Sequence, residues 1–436
     1  FHIVWRRAPQ AFDQSLMVIN AAAFFGISYG LLWDDFRPWM GGFTLLLALF
    51  YGALAYLALV RSREHVHLSL MALGIALVFL TIAVPVQLGG PWVSVAWAVE
   101  GVVLVWLSFT LRMWQLRVFG VGVFAVFAAW LIILDTPDAL SADVTPFLNS
   151  YLLAFVLSIA ATYLAAYLVR RNSEDRQEWD SVLFPAFLSA GNVFLTLTVP
   201  TQVDGVWIAV SWAVEAAALM WLSFRLGLYE LRLFSLGVFG TLAVRLLVFD
   251  TPVDLADFRI FLNFRVLAFG SGIIALYVAA FLVRRGREAV EEWEPDVVFP
   301  ALLAGASFLT LWVASAEVIS AVDSGIVRAT GQTADHVKSL SLSLLWAAYG
   351  GVVLALGIVR GWRTVRVAGL ALLAVPVLKL FLWDSVALER GYRVAAFMAL
   401  GGILLVGGFL YQRYSAAFKG FLFEDQDEEP KIPAQP

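Results

Sequence analysis

The sequence predicts an all-α fold: a polytopic integral membrane protein with about 14 transmembrane helices in tandem, parallel four-helix repeats. Composition is the first observation behind this prediction. Of the 436 residues, 61% are hydrophobic and only 14% are charged, whereas a soluble domain is about 45–50% apolar and about 25% charged. The second observation is that the apolar residues form runs of about 20, the length at which a helix crosses the bilayer.

These apolar runs are predicted to be helices rather than barrel strands. Only helices and closed barrels satisfy every backbone hydrogen bond in lipid. A barrel strand would alternate apolar and polar residues over about 10 positions. Stretches such as 68–84 and 273–283 do not alternate, and the sequence therefore favours helices.

Internal repetition is the third observation. The tetrapeptide Trp-Ala-Val-Glu at 97–100, followed by Trp-Leu-Ser-Phe at 106–109, recurs at 212–215 and 221–224 with an offset of 115 residues. A weaker copy, Trp-Ala-Ala-Tyr, follows 134 residues later at 346–349, and the extra length falls in a polar loop at about 320–338. Because each repeat holds an even number of helices, successive repeats are expected to share one orientation.

The repeats define the predicted spans and domains. The opening helices resemble the last two helices of a repeat, so the first half of that repeat is expected upstream of Phe1. The predicted spans are 15–33 and 39–60; 67–88, 92–111, 114–134 and 146–169; 182–202, 207–226, 231–250 and 260–283; and 297–318, 339–359, 364–383 and 391–412. The predicted domains are a partial repeat (1–64), two full repeats (65–178 and 179–292), a divergent third repeat (293–420) and a tail (421–436).

The distribution of basic residues predicts the orientation. Most of the 29 lysines and arginines fall at the same predicted helix ends, near positions such as Arg112, Arg117, Arg225 and Arg232. The positive-inside rule places these ends, and both ends of the chain, in the cytoplasm. The expected location is the bacterial inner membrane. The acidic, proline-containing segment 421–436 is predicted to be a disordered cytoplasmic tail.

Composition also excludes several partners and cofactors. The formal net charge is −4 and no basic stripe exists, so nucleic acid is not an expected partner. The chain has no cysteine, which excludes thiolate catalysis and cysteine-ligated iron–sulfur clusters. The histidines, His2, His65, His67 and His336, are predicted to lie outside the spans. Without a histidine ligand inside the membrane, neither a bound cofactor nor a metal site is expected.

Glu100 and Glu215 are the most informative residues for function. Each lies eight residues into its predicted span, near the middle of the membrane. A charged group at that depth costs about 2.5–3.5 kcal/mol on insertion scales, so a functional role is the default hypothesis. These carboxyls are predicted to be protonatable sites. The alternative is that each is neutral, or pairs with a cation, and only holds helices together.

Basic side chains are expected in the same half of the membrane as these glutamates. Arg245 and Lys379 share one repeat position, where the first full repeat has Trp130, and Arg265 and Arg393 share another, where it has Tyr151. In a transporter these four residues would line a cavity for an anionic or head-group ligand. The alternative is that they reach the membrane surface, or pair with nearby acidic residues.

Acidic residues close the equivalent helices on the side opposite the arginines. They are Asp34, Asp35, Asp135, Asp250 and Asp384. Aspartates on this side could activate an acceptor or hold a metal, as in polyprenyl-dependent glycosyltransferases. Two of them are followed by Thr-Pro, which favours helix-end and turn chemistry instead.

The repeated Trp-Ala-Val-Glu and Trp-Leu-Ser-Phe segments resemble an uncharacterised bacterial family of predicted multi-pass membrane proteins. So do the segment 379–384 (Lys-Leu-Phe-Leu-Trp-Asp), the residues Arg393, Phe397 and Gly401, and the segment 411–414 (Tyr-Gln-Arg-Tyr). The resemblance implies a repeated helical membrane domain, often behind a cytoplasmic N-terminal region, and implies no activity.

Three functional hypotheses follow from these residues. The first is a transporter or lipid-handling protein of the cell envelope that uses the intramembrane carboxylates. The second is a non-catalytic scaffold or accessory subunit of a larger membrane complex, and the third is a lipid-linked glycosyltransferase. A non-enzymatic role is favoured. Membrane lipids are the expected partners, joined by other membrane-protein subunits under the second hypothesis.

Overall fold

The computed structural model describes residues 11–61, 66–142, 145–172, 178–256, 258–286, 294–327 and 332–382, and all regular structure within them is helical. Eleven stretches of these residues are long and apolar enough to cross a membrane, and the first of them, Phe12–Arg61, contains two helices. The chain is therefore a multi-pass helical membrane protein. The helices are α1 (Ala11–Phe36), α2 (Met40–Arg61), α3 (Val66–Gln87), α4 (Trp92–Thr110), α5 (Trp114–Trp130), α6 (Thr136–Ser141), α7 (Ser150–Arg171), α8 (Leu183–Gln202), α9 (Val206–Leu226), α10 (Tyr229–Val248), α11 (Phe264–Arg285), α12 (Glu294–Asp323), α13 (Gln332–Val359) and α14 (Arg363–Leu382).

Local sequence signals set where these helices begin and end. Pro38 lies in the 3-10 turn between α1 and α2, where its fixed φ and missing N–H are compatible with a break between helices. Gly227 ends α9 with a φ of 65°, a left-handed conformation that glycine adopts without steric cost. Asn149 and Asn263 cap the N-termini of α7 and α11 with their side chains.

The chain divides into two compact units, residues 1–204 and 205–436. In unit 1, α2 packs against α3, α4 packs against α5 and α7, and α7 packs against α8. Its buried core contains Phe127, Phe155 and Phe194, with the Phe127 and Phe194 rings 5.4 Å apart. Gly101 allows close approach of α5, because a Cβ at this position would lie 2.8 Å from the Phe124 ring.

Unit 2 repeats this pattern of neighbours. Helix α9 packs against α10 and α11, α11 packs against α12, and α13 packs against α12 and α14. The buried residues of unit 2 include Leu242, Leu246 and Phe269. In both units a helix that the sequence assigned to the end of one repeat packs against the first helix of the next.

Several sequence predictions meet the structure here. The predicted spans match the described helices, but α7 and α11 begin at Ser150 and Phe264 rather than at 146 and 260. The polar loop predicted at 320–338 is shorter, because α12 continues to Asp323 and α13 begins at Gln332. An ion pair between Lys338 and Asp323 joins the two helices across this loop.

Other predictions stay open or need correction. The predicted span 391–412 lies outside the described residues, so the count of 14 and the four-helix repeats stay predictions, as do the bounds of the five domains. The prediction that histidines avoid the spans is wrong for His336, near the start of α13, and for His67, the first residue of the predicted span 67–88 and of the apolar stretch in α3. Both helices extend further toward their N-termini than their most apolar segments.

Candidate functional site

One end of each unit carries a layer of buried polar side chains, here called the aspartate end, which contains Asp135 in unit 1 and Asp250 in unit 2. In unit 1, α5 continues through a π-helical turn, Leu131–Asp135, into α6. The Leu131 carbonyl accepts both the backbone N–H of Thr136, which closes the π-helical turn, and the Thr136 hydroxyl at 2.7 Å. Asp135 is only 2% exposed, and it accepts a hydrogen bond from the hydroxyl of Ser94 in the first turn of α4.

Unit 2 places a cation at the corresponding position. Arg245 replaces Trp130, and its Nε lies 3.3 Å from Oδ2 of Asp250. Its Nη2 donates to the Gly205 carbonyl at 2.8 Å, and its guanidinium lies over the Trp212 ring at 5.9 Å. Burial raises the pKa of the Asp250 carboxyl above its ordinary value, and the positive charge of Arg245 offsets part of that rise.

The strongest polar contact of unit 2 joins α11 to α12. Arg265 donates to Oε1 of Glu317 from Nε at 3.0 Å and from Nη2 at 2.6 Å, and both side chains are only 3% exposed. The same guanidinium donates to the Ser320 hydroxyl at 3.0 Å and to the carbonyls of Thr251 and Ala316 at 3.0 and 3.2 Å. A buried ion pair needs such additional hydrogen bonds to offset its desolvation.

The loop before α11 is fixed to the same carboxylate. The Phe261 N–H donates to Oε2 of Glu317 at 2.9 Å, and the Asn263 side-chain amide donates to both carboxylate oxygens at 2.9 and 3.0 Å. Oδ1 of Asn263 accepts from the Val266 N–H at 3.0 Å and caps α11. Phe261 has a φ of 60°, a left-handed conformation that is uncommon for a non-glycine residue.

Unit 1 builds the same loop from neutral groups. Phe147 has a φ of 63°, and its N–H donates to Oε1 of Gln202 at 3.2 Å. The Asn149 amide donates to the same oxygen at 2.9 Å, while Oδ1 of Asn149 accepts from the Leu152 N–H and caps α7. Gln202 therefore does in unit 1 what Glu317 does in unit 2, and the position of Arg265 is occupied by Tyr151.

Glu100 lies deeper along α4 and has a different environment. Its Oε1 accepts a hydrogen bond from the Thr81 hydroxyl on α3 at 2.7 Å, and the Trp97 indole N–H donates to the Thr81 carbonyl at 2.9 Å. Oε2 of Glu100 is buried without a hydrogen-bond partner among the described residues. No described cation forms an ion pair with Glu100. Its equivalent Glu215 is buried on α9.

In the third copy, different residues occupy the positions of the glutamates and of Arg245. Tyr349 takes the position of the glutamates, and its hydroxyl lies 2.9 Å from the hydroxyl of Ser307 on α12. Lys379 takes the position of Arg245, and its Nζ donates to the Ser339 carbonyl and hydroxyl at 2.9 and 2.8 Å and to the Ser343 hydroxyl at 3.1 Å. A basic side chain therefore contacts the preceding helix in both copies, at the N-cap residue Gly205 for Arg245 and within α13 for Lys379.

The remaining predicted site residues are dispersed. Asp34 and Asp35 are exposed near the end of α1. Arg393 and Asp384 lie outside the described residues. The expectation that basic residues would reach the glutamates does not describe Arg265, whose carboxylate partner is Glu317. Sequence reasoning did not single out Glu317, although it follows Gln87 and Gln202 at the same offset of 115 residues.

A second buried ion pair, which sequence reasoning also missed, lies at the opposite end of unit 1. Arg117, at the start of α5, pairs with Asp180 in the 3-10 turn before α8, and both side chains are almost fully buried. Arg117 also donates to the Ser108 hydroxyl at 3.3 Å, and its guanidinium lies 3.9 Å from the centre of the Phe109 ring. This arginine was assigned only to the positive-inside pattern. Across the described ranges, no three His, Asp or Glu side chains are placed to hold a metal ion.

The comparison with known families agrees with this architecture. The family described as "Predicted membrane protein (DUF2339)" matches residues 1–138 and 228–414. The chain belongs to this family. DUF2339 is a membrane protein family of unknown function, and it is the kind of family that the repeated tryptophan–glutamate segments resemble. No curated protein and no solved structure matches the chain.

The DUF2339 match includes more of the aspartate end of unit 2 than of the aspartate end of unit 1. Glu100 and Asp135 lie in the first part, and the Arg265–Glu317 pair lies in the second. The unmatched segment 139–227 contains α7, α8 and α9, and with them Gln202. The charged loop of unit 2 therefore lies within the DUF2339 match, whereas its neutral counterpart in unit 1 does not.

Proposed function

We propose that this chain is a transporter or lipid-handling protein of the bacterial cell envelope in which intramembrane carboxyls, Glu100 and its equivalent Glu215, exchange protons. One observation carries the proposal: Glu100 is held by a single neutral hydroxyl, that of Thr81, and forms no ion pair with a described cation. One oxygen of this carboxyl is buried with no described hydrogen-bond partner.

A negative charge on Glu100 would have no countercharge among the described residues. An acidic side chain at the centre of a helix in lipid costs about 2.5–3.5 kcal/mol, and such groups mark proton relays when no structural partner neutralises them. A single hydrogen bond from a hydroxyl offsets about 1.5–3 kcal/mol of that cost and supplies no countercharge. Burial without a countercharge favours the neutral acid over the carboxylate, and such a group can accept or release a proton when water reaches it.

Two of the four basic residues predicted to bind an anionic ligand are already paired with carboxylates. Arg265 is saturated by Glu317 and its neighbours, and Arg245 is paired with Asp250. These two basic residues are therefore structural in the proposal and do not line a cavity for an anion. What remains is a proton-linked movement of a solute or of lipid, with Glu100 and Glu215 as the proton-exchanging groups.

Reconstitution into proteoliposomes tests the proposal. Phospholipid scrambling and solute uptake would be measured with and without an imposed pH gradient, for the wild type and for the double variant Glu100→Gln, Glu215→Gln. We expect the gradient-dependent part of the activity to fall at least tenfold in the double variant. Glu230→Gln, at the start of α10, is the matched control and should keep full activity. Unchanged activity in the double variant would discard the proton-coupling role.

A second candidate function is a non-catalytic scaffold or accessory subunit, and the aspartate ends favour it. Buried polar contacts join consecutive helices there through Gln202, Glu317 and Arg265, as expected of a bundle built for rigidity. Purification in mild detergent tests this role. Stable co-purification of another membrane protein supports it, and a monomer that never carries a partner counts against it.

The lipid-linked glycosyltransferase hypothesis has the weakest support. Asp34 and Asp35 are exposed, and neither makes a hydrogen bond or ion pair with a described residue. Catalytic carboxylates are normally positioned by neighbouring groups that fix their geometry. Replacement of both residues by asparagine without loss of a glycosylated product would remove this hypothesis.

A further inference from the structure

Asp135 is a second buried carboxyl of unit 1 that no described cation neutralises. It is 2% exposed and accepts a hydrogen bond from the Ser94 hydroxyl, so its partner is as neutral as the partner of Glu100. The charged side chain closest along the chain is Asp138, which is exposed one turn further along α6. Asp135 therefore shares with Glu100 the feature that makes a buried carboxyl a proton-exchanging group.

Both carboxyls lie along α4 at different depths: Glu100 is one of its residues, and Asp135 accepts a hydrogen bond from its Ser94. Ser94, Trp97 and Glu100 follow each other along α4 at steps of three residues, and side chains three residues apart lie on neighbouring turns. Six residues of helix correspond to about 9 Å. One hydrogen bond spans about 2.8 Å between heavy atoms, so the two carboxyls are connected only when water enters between them.

A pair of indole rings lies between these two depths. The rings of Trp97 and Trp130 pack edge to face, with their centres 5.3 Å apart. Trp97 also donates to the carbonyl of Thr81, the residue that holds Glu100. Trp130 is the last residue of α5, and Asp135 follows it by five residues at the end of the π-helical turn. Two indole rings in edge-to-face contact leave no room for a water molecule between them, and the pair lies between the deep carboxyl and the one near the helix end.

Unit 2 lacks this arrangement. Its aspartate, Asp250, is paired with Arg245, which occupies the place of Trp130. Ala209 takes the place of Ser94, so the hydroxyl that holds Asp135 has no counterpart. The combination of a cation-free aspartate and a closed aromatic pair thus distinguishes unit 1.

We propose that protons reach Glu100 of unit 1 from the aspartate end through Asp135, with the Trp97–Trp130 ring pair as the barrier between the two carboxyls. This inference rests on the proposed function of Glu100. When the rings separate and water enters, the O–H bond of the Asp135 acid breaks and an O–H bond forms on the Glu100 carboxylate. The negative charge then lies on Asp135, which is reloaded from bulk water.

Infrared spectroscopy of the full chain in lipid nanodiscs tests this route without a known substrate. The carbonyl stretch of the protonated Glu100 acid is identified by its loss in Glu100→Gln, and its deuterium exchange is timed after transfer to D2O. We expect Asp135→Asn to slow this exchange at least tenfold. Trp130→Ala should accelerate it at least tenfold, whereas Trp130→Phe and the exposed control Asp138→Asn should leave it within twofold.

The outcomes separate the two proposals. Absence of a Glu100 acid band overturns the proposed function together with this route. A Glu100 band whose exchange rate is the same in Asp135→Asn as in the wild type overturns the route alone. Where Asp135→Asn does not assemble, Trp130→Ala decides, because an open barrier that gives no faster exchange also overturns the route.

Discussion

The aspartate ends of the two units have the same loop conformation, which a neutral side chain holds in unit 1 and an ion pair holds in unit 2. In unit 1 the loop before α7 is held by the neutral Gln202, and in unit 2 the loop before α11 is held by the carboxylate of Glu317, which Arg265 neutralises. Both loops contain a phenylalanine with a positive φ and an asparagine cap. The loop conformation therefore does not require charge, and the ion pair of unit 2 is an added feature whose energetic consequence can be measured.

The largest expected effect comes from breaking the ion pair on one side. Arg265→Met leaves Glu317 buried and without its cation, which should lower the free energy of unfolding by about 3–5 kcal/mol. The double variant Arg265→Tyr, Glu317→Gln installs the residues of unit 1 and should lie within about 1 kcal/mol of the wild type, since a buried ion pair is often replaced at little cost. Reversible unfolding in mixed detergent micelles measures both. A double variant as unstable as Arg265→Met would show that charge is essential in unit 2.

A packing difference between the units gives the next effect. Gly101→Ala would place a methyl group 2.8 Å from the buried ring of Phe124, and we expect a loss of about 1–3 kcal/mol in the free energy of unfolding. Unit 2 already has Ala216 at this position, fully buried, with its carbonyl accepting from Ser235. Ala216→Gly should cost about 1–2 kcal/mol, because it reduces helix propensity and removes one buried methyl group without creating a clash. Equal losses in the two variants would contradict this difference in packing.

The two asparagine caps should give a smaller difference in the free energy of unfolding between the units. Asn149→Ala removes the N-cap of α7 and should cost about 1 kcal/mol in the free energy of unfolding. Asn263→Ala removes the equivalent cap and also a hydrogen bond to a charged carboxylate, and it should therefore cost about 1 kcal/mol more. Ser150→Ala, an exposed change next to the first cap, is the control. A smaller loss for Asn263→Ala than for Asn149→Ala would mean that Arg265 alone holds Glu317.

The smallest effect is the pH dependence that Asp250 gives to unit 2. Because its pKa is raised in the folded chain, the folded state binds a proton that the unfolded state has already released. The free energy of unfolding should therefore fall as the pH rises from the ordinary pKa of aspartate through the raised one, and should level off above it. Asp250→Asn should lack this decline. Thermal unfolding of both proteins across this pH range is the measurement, and identical slopes would assign the pH dependence to other groups.

The helices themselves could be predicted because their signal is local. Apolar runs of membrane-spanning length give the helices, and the described bounds agree with them within several residues. The later starts of α7 and α11 depend on asparagine caps and on loops held by a residue far along the chain. An apolar pattern does not contain that information.

The polar contacts were harder to predict because partners are far apart in sequence. Glu100 and Asp135 stand out by their depth or repetition, but Thr81 and Ser94, which hold them, are ordinary residues of apolar helices. Arg265 was recognised and its partner Glu317 was not, since the earlier repeats of the chain have glutamine at the equivalent positions. Repetition identified positions that matter, while the change from glutamine to glutamate, which carries the electrostatics, breaks the repetition.

The separation of Arg265 from Glu317 along the chain also bears on synthesis. Glu317 follows Arg265 by 52 positions, and a ribosome adding about 5–20 residues per second needs about 3–10 s to make that length. During this interval the guanidinium of α11 has been translated and its carboxylate partner has not. The ion pair is therefore completed only when α11 and α12 are both present, so a chain that ends within α12 before Glu317 would keep a buried guanidinium without its countercharge.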